Sequence, residues 1–332
     1  MPEHTAFITG ATGFVGGQLA QLLLERGWRL LALRREGSTH PDLEGLDIDW
    51  RFGDLRNPAT VHRAMAGAGV VFHVAADYRL WSRHPAELYA SNVTGTDNVL
   101  RAAMEHRVER VVYTSSVGAL GLRRDGVPAD ETTPVSLADM VGHYKRSKFL
   151  AERKAEEYAR LGLPVVIVHP STPVGPGDHK PTPTGQIIVD FLNRRMPAYV
   201  DTGLNLIHVR DVAWGHLLAC EHGAVGEKYI LGHRNLRLSA ILQSLAAISG
   251  LPSPRVRLPH RPVLLLAHGN EMLARLTGKA PRIPVEGVRM ARRLMFFHAG
   301  KAVSQLGLPQ TPVEQALQEA VAWFRDHGYV KR

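Results

Sequence analysis

Apolar and polar residues follow two rhythms along the first half of the chain. Short strand-like runs, several of them near-continuous apolar as in strands buried on both faces, occupy Ala6–Thr9, Trp28–Leu33, Asp49–Phe52, Val70–Val74, Arg110–Thr114 and Pro164–Val168. Between them apolar residues return every three or four positions. That spacing predicts helices over Phe14–Arg26, Pro58–Ala66, Pro85–His106 and His143–Arg160. Strand and helix in regular alternation predict an α/β fold, a doubly wound (Rossmann) parallel sheet covered on both faces. From His169 the rhythm breaks. His169 to Gly185 is crowded with Pro and Gly and reads as a long loop closed to helix. Further on, helices are expected around Leu264–Leu276 and over Thr311–His327. The sheet domain is expected over 1–172, completed by about 205–225. Residues 173–204 and 226–332 are then a smaller mixed C-terminal lobe, the expected substrate-binding part.

Composition narrows the field. The chain has 332 residues, 45% hydrophobic and 21% charged, enough for a substantial core and unlike a disordered or coiled-coil protein. Cys220 is the single cysteine, so an intramolecular disulfide and a multi-cysteine metal site are both excluded. Its neighbours Leu217, Leu218 and Ala219 suggest a buried helix position. The 17 histidines are scattered, without a His-Glu-x-x-His pattern or a carboxylate cluster, and no metal site is expected. His169 and His208 fall at expected strand ends, where bonds to backbone are anticipated.

The formal charge of +9 suits either solubility or an anionic ligand or surface. Zinc-finger spacing, an RNP motif and basic runs interleaved with aromatics are all missing, so a nucleic-acid partner is not expected. The opening MPEHTAFITG lacks the basic and apolar regions of a signal peptide, and no segment nears the roughly 20 apolar residues of a membrane span. The cytoplasm is the expected address.

The first expected strand runs into Gly10-Ala11-Thr12-Gly13-Phe14-Val15-Gly16, and a helix follows at once. The first glycine permits a tight turn, the second lets backbone approach a pyrophosphate, and the third lets helix pack on strand. The helix N-terminus then offers free N–H groups to phosphate. The second strand ends in Leu33-Arg34-Arg35. A carboxylate there would bind the ribose 2′-hydroxyl of NAD, whereas two guanidinium groups suit the 2′-phosphate of NADP. NADP(H) is therefore expected over NAD(H), the alternative being that the arginines are exposed loop charges. Glu36 lies past the usual carboxylate position. Asp54 and Leu55 follow the third strand, where Asp54 would contact adenine or serve as a turn residue.

Tyr144 and Lys148 stand four apart at the start of an expected helix, on one face and about one turn apart. A phenol beside an ammonium can hold the proton that carbonyl chemistry requires. Its ordinary pKa near 10 is expected to fall when Lys148 stabilises the phenolate. Lys148 can also hold the nicotinamide ribose. Ser115 and Ser116 end the Arg110–Thr114 strand at the crevice side of such a sheet. Ser116 is the favoured partner of Tyr144, with Ser115 as the alternative.

TGATGFVG, YTSS and YKRSK, with NVTGTDNVL (Asn92–Leu100), PSTPVGPG (Pro170–Gly177) and IHVRDVA (Ile207–Ala213), resemble the extended short-chain dehydrogenase/reductases over nearly the whole chain. The runs AADYRLW, HPSTP, KPTPTG and AYVDTGLNL resemble, more narrowly, the bacterial hopanoid-associated sugar epimerases, which are similar to dihydroflavonol reductases. The resemblance implies that Ala75 and Ala76 line the cofactor, that Pro170, Ser171 and Thr172 contact nicotinamide, and that Asp77 and Tyr78 face the substrate along with Ser116. It also implies a homodimer through the long helices.

Three functions follow in order. An NADP-dependent oxidoreductase would reduce an aldehyde or ketone on a sugar-, polyol- or hopanoid-linked substrate, with Tyr144 as acid. A redox-neutral sugar epimerase would commonly use NAD and, for nucleotide sugars, need a diphosphate pocket, for which Arg194, Arg195 and Arg210 are candidates. A non-catalytic dinucleotide-binding protein would not need Ser116, Tyr144 and Lys148. A lipid substrate would give the basic run Arg255, Arg257, Arg261, Arg275, Lys279, Arg282, Arg289, Arg292 and Arg293 a reason, namely peripheral contact with the inner membrane beside Leu264, Leu265 and Leu266. The alternative is a core-facing helix with a solvated basic rim.

Overall fold

In a computed structural model of the chain, residues 4–38, 40–123, 125–281 and 283–331 are described. Arg282 of the basic run lies outside them. The first half follows the expected alternation. It runs β1 (Thr5–Thr9), α1 (Phe14–Glu25), β2 (Arg29–Arg34), β3 (Ile48–Phe52), α2 (Pro58–Met65), β4 (Val70–His73), α3 (Pro85–Tyr89), α4 (Gly95–Glu105), β5 (Arg110–Thr114), α5 (Gly142–Arg160) and β6 (Val165–Pro170). The expected helix Pro85–His106 is continuous but not uniform, because Ala90–Thr94 between α3 and α4 is wound as a π-helix. That wider turn holds Asn92, whose side chain bonds Ser147 and the backbone of Asp77.

The second half runs β7 (Thr172–Val174), α6 (Pro183–Leu192), β8 (Ala198–Tyr199), β9 (Gly203–His208), α7 (Val209–His222), β10 (Lys228–Leu231), β11 (Arg234–Arg237), α8 (Leu238–Ser249), β12 (Val256–Arg257), α9 (His260–Thr277), α10 (Val285–Ala291), β13 (Leu294–Met295), α11 (Gly300–Leu306) and α12 (Val313–Asp326). The stretch expected as a loop closed to helix is corrected here. β6 continues through Pro170, β7 follows, and α6 opens at Pro183. Proline is tolerated in the first turn of a helix, where its missing N–H would have had no partner. Thr182 caps this helix by accepting from the Gly185 N–H at 3.1 Å.

Among the described residues, seven strands form one parallel sheet in the order β10-β6-β5-β4-β1-β2-β3. The chain leaves the sheet after β6 and returns with β10, so the sheet extends past residue 225, where it was expected to be complete. Only Tyr229–Leu231 is an apolar run there, too short to read as a strand. Alternation of side chains divides the core between the two faces. Ala6, Ile8, Leu30, Phe72 and Val112 pack under α1, α7 and α11. Phe7, Leu31, Val71, Val111 and Ile167 pack under α2, α4 and α5. Full burial of such side chains contributes about 1.5–3 kcal/mol each before entropy is counted. A third cluster joins α6, α8 and α12 through Phe191, Leu242 and Phe324. β1 pairs with β2 on one side and β4 on the other, so strand order reverses at its C-terminal end. Ligands of open α/β sheets bind in the crevice at such a point.

Candidate active site

The glycine turn sits in that crevice. Gly10 has φ 77°, and a Cβ on it would lie 2.6 Å from the backbone N of Ala75. A Cβ on Gly16 would lie 2.0 Å from the Gly10 carbonyl oxygen. Only glycine lets β1, α1 and the segment after β4 meet this closely. Gly13 N donates to Gly10 O at 2.9 Å and begins α1, so Thr12, Phe14 and Val15 are held at the helix mouth. α1 has no side-chain cap and no acidic residue in its first turn. Its first N–H groups and positive dipole end therefore suit an anion. Ala75 N donates to Thr9 Oγ1 at 3.3 Å, which sets Ala75 and Ala76 along the opposite wall.

At the end of β2 the Arg34 guanidinium lies over the rings of Trp50 and Phe52, 4.8 and 4.9 Å from their centres. Its Nε is buried without a hydrogen-bond partner. Arg35 is exposed beside it. Asp54 follows β3 at a turn. Its carboxylate is held by Arg56 at 2.6 Å and accepts from the Arg56 N–H, and this arginine holds it below the usual carboxylate range. Leu55 is fixed by its carbonyl, which accepts from Asn98 Nδ2 at 2.8 Å.

The start of α5 brings Tyr144 and Lys148 to the ends of β4 and β5. The Tyr144 hydroxyl lies on the Ser116 side of this crevice. Burial raises the Tyr144 pKa above its ordinary 10, and the Ser116 side chain offsets this only in part. The expectation that Lys148 would pull it down is therefore corrected. The Lys148 ammonium points to the Thr114 carbonyl, 2.7 Å away, and lies 5.0 Å from the Tyr113 ring centre. Burial lowers Lys148 to about 8, against the opposing pull of Glu152. Beneath it His73 bonds Thr9 Oγ1 at 2.7 Å and Thr96 Oγ1 at 2.9 Å. Burial and the Lys148 charge lower His73 to about 3, so this ring is neutral.

The two adjacent serines have different partners. Ser116 Oγ accepts from the Gly118 N–H at 3.0 Å, and Ser115 Oγ donates to Glu152. Burial would raise Glu152, but His169 and Lys228, at 2.8 and 2.7 Å, hold it below the usual range. The expectation that His169 bonds backbone is corrected accordingly, since the partner is a carboxylate. His208 bonds both, with Nε2 to Glu319 and Nδ1 accepting from Arg210 N–H.

Pro170, Ser171 and Thr172 link β6 to β7 on the far wall. Ser171 N donates to Leu231 O at 2.9 Å, while its Oγ is buried without a partner. Asp77 is paired with Arg79 at 2.6 Å, and the Tyr78 hydroxyl donates to the Lys180 carbonyl at 3.4 Å. Both stand at the crevice rim, bonded to protein.

A cleft opens beside Ser116 and Tyr144, lined by Gly118, Leu122, Met140, Lys145, Arg289 and Arg293. Lys145 is buried, its ammonium 3.9 Å from the Met295 sulfur, and burial with the Arg293 charge lowers it to about 8. Sequence reasoning missed this basic wall, since nothing in the sequence brings 145 and 293 together. The expected trio does not converge here. Arg195 sits by Asp190 and Arg210 by Glu25 on the surface, and Arg194 takes a left-handed turn with φ 57°. Another grouping was also invisible in sequence. His40, Asp42 and His179 meet beside α1, with His179 Nε2 bonded to Asp42 at 2.8 Å and their ligand-type atoms within 4.8 Å of one another. Cys220 is buried as expected, and burial pushes its thiol up to about 12.

The sequence profile of the NAD dependent epimerase/dehydratase family matches residues 6–232. A Synechocystis sp. protein named "Putative dihydroflavonol 4-reductase" is 50% identical, covering 98% of this chain and 96% of that one. "Sterol demethylase protein B" of Methylococcus capsulatus is 34% identical, covering 98% and 100%. The crystal structure of gox2253 superposes with a TM-score of 0.89 at 48% identity, covering 99% of this chain and 100% of that one.

Proposed function

The chain belongs to the NAD dependent epimerase/dehydratase family of nicotinamide dinucleotide enzymes, and from that premise we propose that it is an NADP-dependent carbonyl reductase. Its substrate is an aldehyde or ketone carried on a sugar, a polyol or a hopanoid-type lipid. The observation that carries the cofactor choice is the end of β2. Two guanidinium groups stand where a carboxylate would select NAD, and the buried Arg34 Nε lacks a partner. A buried donor left unpaired is costly, and a 2′-phosphate oxygen would satisfy it. The partnerless Ser171 Oγ fits the nicotinamide end in the same way.

When bound, the dinucleotide supplies a hydride to the substrate carbon. Gly10, Gly13 and Gly16 with the α1 N-terminus would hold its pyrophosphate, Arg34 and Arg35 its 2′-phosphate, and Lys148 its nicotinamide ribose. Ser116 donates a hydrogen bond to the substrate oxygen and aligns it with Tyr144. The Tyr144 phenol, kept protonated by burial, gives that oxygen its proton. The carbonyl thereby gains one hydride and one proton and becomes an alcohol.

The names of the relatives support a reductase, although the family also holds epimerases and dehydratases. A redox-neutral epimerase remains the second reading because Lys145, Arg289 and Arg293 at the cleft suit a diphosphate. Binding of NADPH and NADH to the purified protein separates the two. NADPH is expected to bind at least tenfold more tightly, about 1.4 kcal/mol, and Arg35→Ser should remove most of that difference. Equal binding, or NAD that copurifies and will not exchange, overturns the reductase.

A further inference from the structure

α9 is apolar on two opposite faces. Val263 and Ala267 face inward and pack against Val285 and Val288 of α10, and Ala274 is buried on the same side. Leu265, Leu266, Met272, Leu273 and Leu276 face outward, between 57 and 77% exposed. At roughly 100° of rotation per residue, these five and Gly269 form one stripe about 120° wide, opposite the buried side. Single exposed leucines are ordinary, but a continuous stripe of five large apolar side chains on one helix marks a contact surface.

The charge around the stripe has one sign. Arg261, His268 and Arg275 recur every seven residues and edge it on one side, and all three are exposed. Arg255 and Arg257 precede the helix and Lys279 follows it, again exposed. Between Arg255 and Arg293 the sequence has nine basic residues and two acidic ones. Both acids are committed to backbone, Glu271 to the Val285 N–H and Glu286 to the His143 N–H. Among the described residues no helix is long and apolar enough to cross a membrane. The sequence alone allowed a core-facing α9 with a solvated rim; the helix does face the core through Val263 and Ala267, and its outer side carries apolar side chains as well as basic ones.

We propose that the outer face of α9 lies in the headgroup region of an anionic lipid bilayer, with the leucine stripe among acyl chains and the arginines at the phosphates. An apolar stripe with a basic edge on a helix too polar to span is the form of an in-plane membrane helix. The basic fringe adds attraction to anionic lipid that salt weakens. α9 packs on α10, which carries Arg289 and Met290 at the cleft, so the surface would place that cleft beside the bilayer. This last step alone rests on the reductase reading, where it makes the substrate an amphiphile drawn from the membrane.

The test is co-sedimentation of the full-length protein with vesicles of phosphatidylcholine alone or with a third phosphatidylglycerol, without cofactor or turnover. Binding to the anionic vesicles is expected to exceed binding to neutral ones at least tenfold, and to fall in 0.5 M salt. The double variant Leu265→Ser, Leu276→Ser changes only exposed side chains and should lose at least tenfold in vesicle affinity at unchanged melting temperature. No co-sedimentation, or co-sedimentation that the variant leaves intact, overturns the proposal. So does a dimer in sedimentation equilibrium that the variant dissociates, because a second copy would then cover the stripe. None of these outcomes depends on catalysis, so failure of the reductase reading leaves them interpretable.

Discussion

The hydroxyl of Ser115 donates to the buried carboxylate of Glu152 at 2.5 Å, while the adjacent Ser116 turns to the Tyr144 phenol. Neighbouring residues leaving a strand point to opposite sides, so two adjacent serines acquire different duties. Ser115→Ala should therefore cost stability, about 1–3 kcal/mol for an under-satisfied buried carboxylate, with kcat changed only a few-fold. Ser116→Ala should leave the melting temperature nearly unchanged and lower kcat about a hundredfold. Thermal unfolding and steady-state NADPH oxidation, measured on both variants, check the pair. The reverse pattern would exchange their roles.

Lys148 titrates near 8 because burial disfavours its charge. Below that pH its ammonium is present to hold ribose. The rate of reduction should therefore decline as pH rises through about 8. Lys148→Met should be slower throughout and lack this decline. Tyr144→Phe should lose about a hundredfold or more in kcat while binding NADPH within about twofold of the parent, since only the proton donor is removed. Turnover that survives in Tyr144→Phe would return the protein to a binding role.

Two buried histidines make the fold sensitive to acid. Burial lowers His73 to about 3 and His216 to about 4, from an ordinary 6.5. Between these values the unfolded chain binds protons that the folded chain refuses. Their contribution is fully present above pH 6.5 and is lost as pH falls towards the folded values, at up to about 1.4 kcal/mol per pH unit for each ring. Urea midpoints between pH 7.5 and 4.5 should decline, and His216→Gln should decline less steeply. An equal slope in that variant would show that other groups carry the acid response.

Much of the sheet domain was legible because its signals are local. Ala6–Ile8 is a continuous apolar run, and Gly10 and Gly16 sit where only glycine clears Ala75 and the Gly10 carbonyl. Tyr144 and Lys148 are brought together by one helical turn, a spacing readable without a fold. What escaped depends on contacts between distant segments. Lys145 meets Arg293, Glu152 meets His169 and Lys228, and His40 meets His179 only after the chain has doubled back. The direction of the Tyr144 shift was misjudged for the same reason. Spacing shows which charge is near, whereas the depth of burial that opposes it is a property of the whole packing.

The return of the chain to the sheet at β10 has a consequence for how the protein is made. Once Val165–Pro170 has left the ribosome, β6 has an open border of unpaired backbone groups, and Lys228–Leu231 is the short segment that later pairs with it. Everything between, including β7, α6 and β9, has to be synthesised first. A nascent chain halted in that interval presents a flat apolar edge to its neighbours, the form in which strands of different molecules pair. Residues 1–172 expressed alone would leave β6 without its β10 partner, so a sheet cut at the point where the loop begins is expected to aggregate more readily than the full chain.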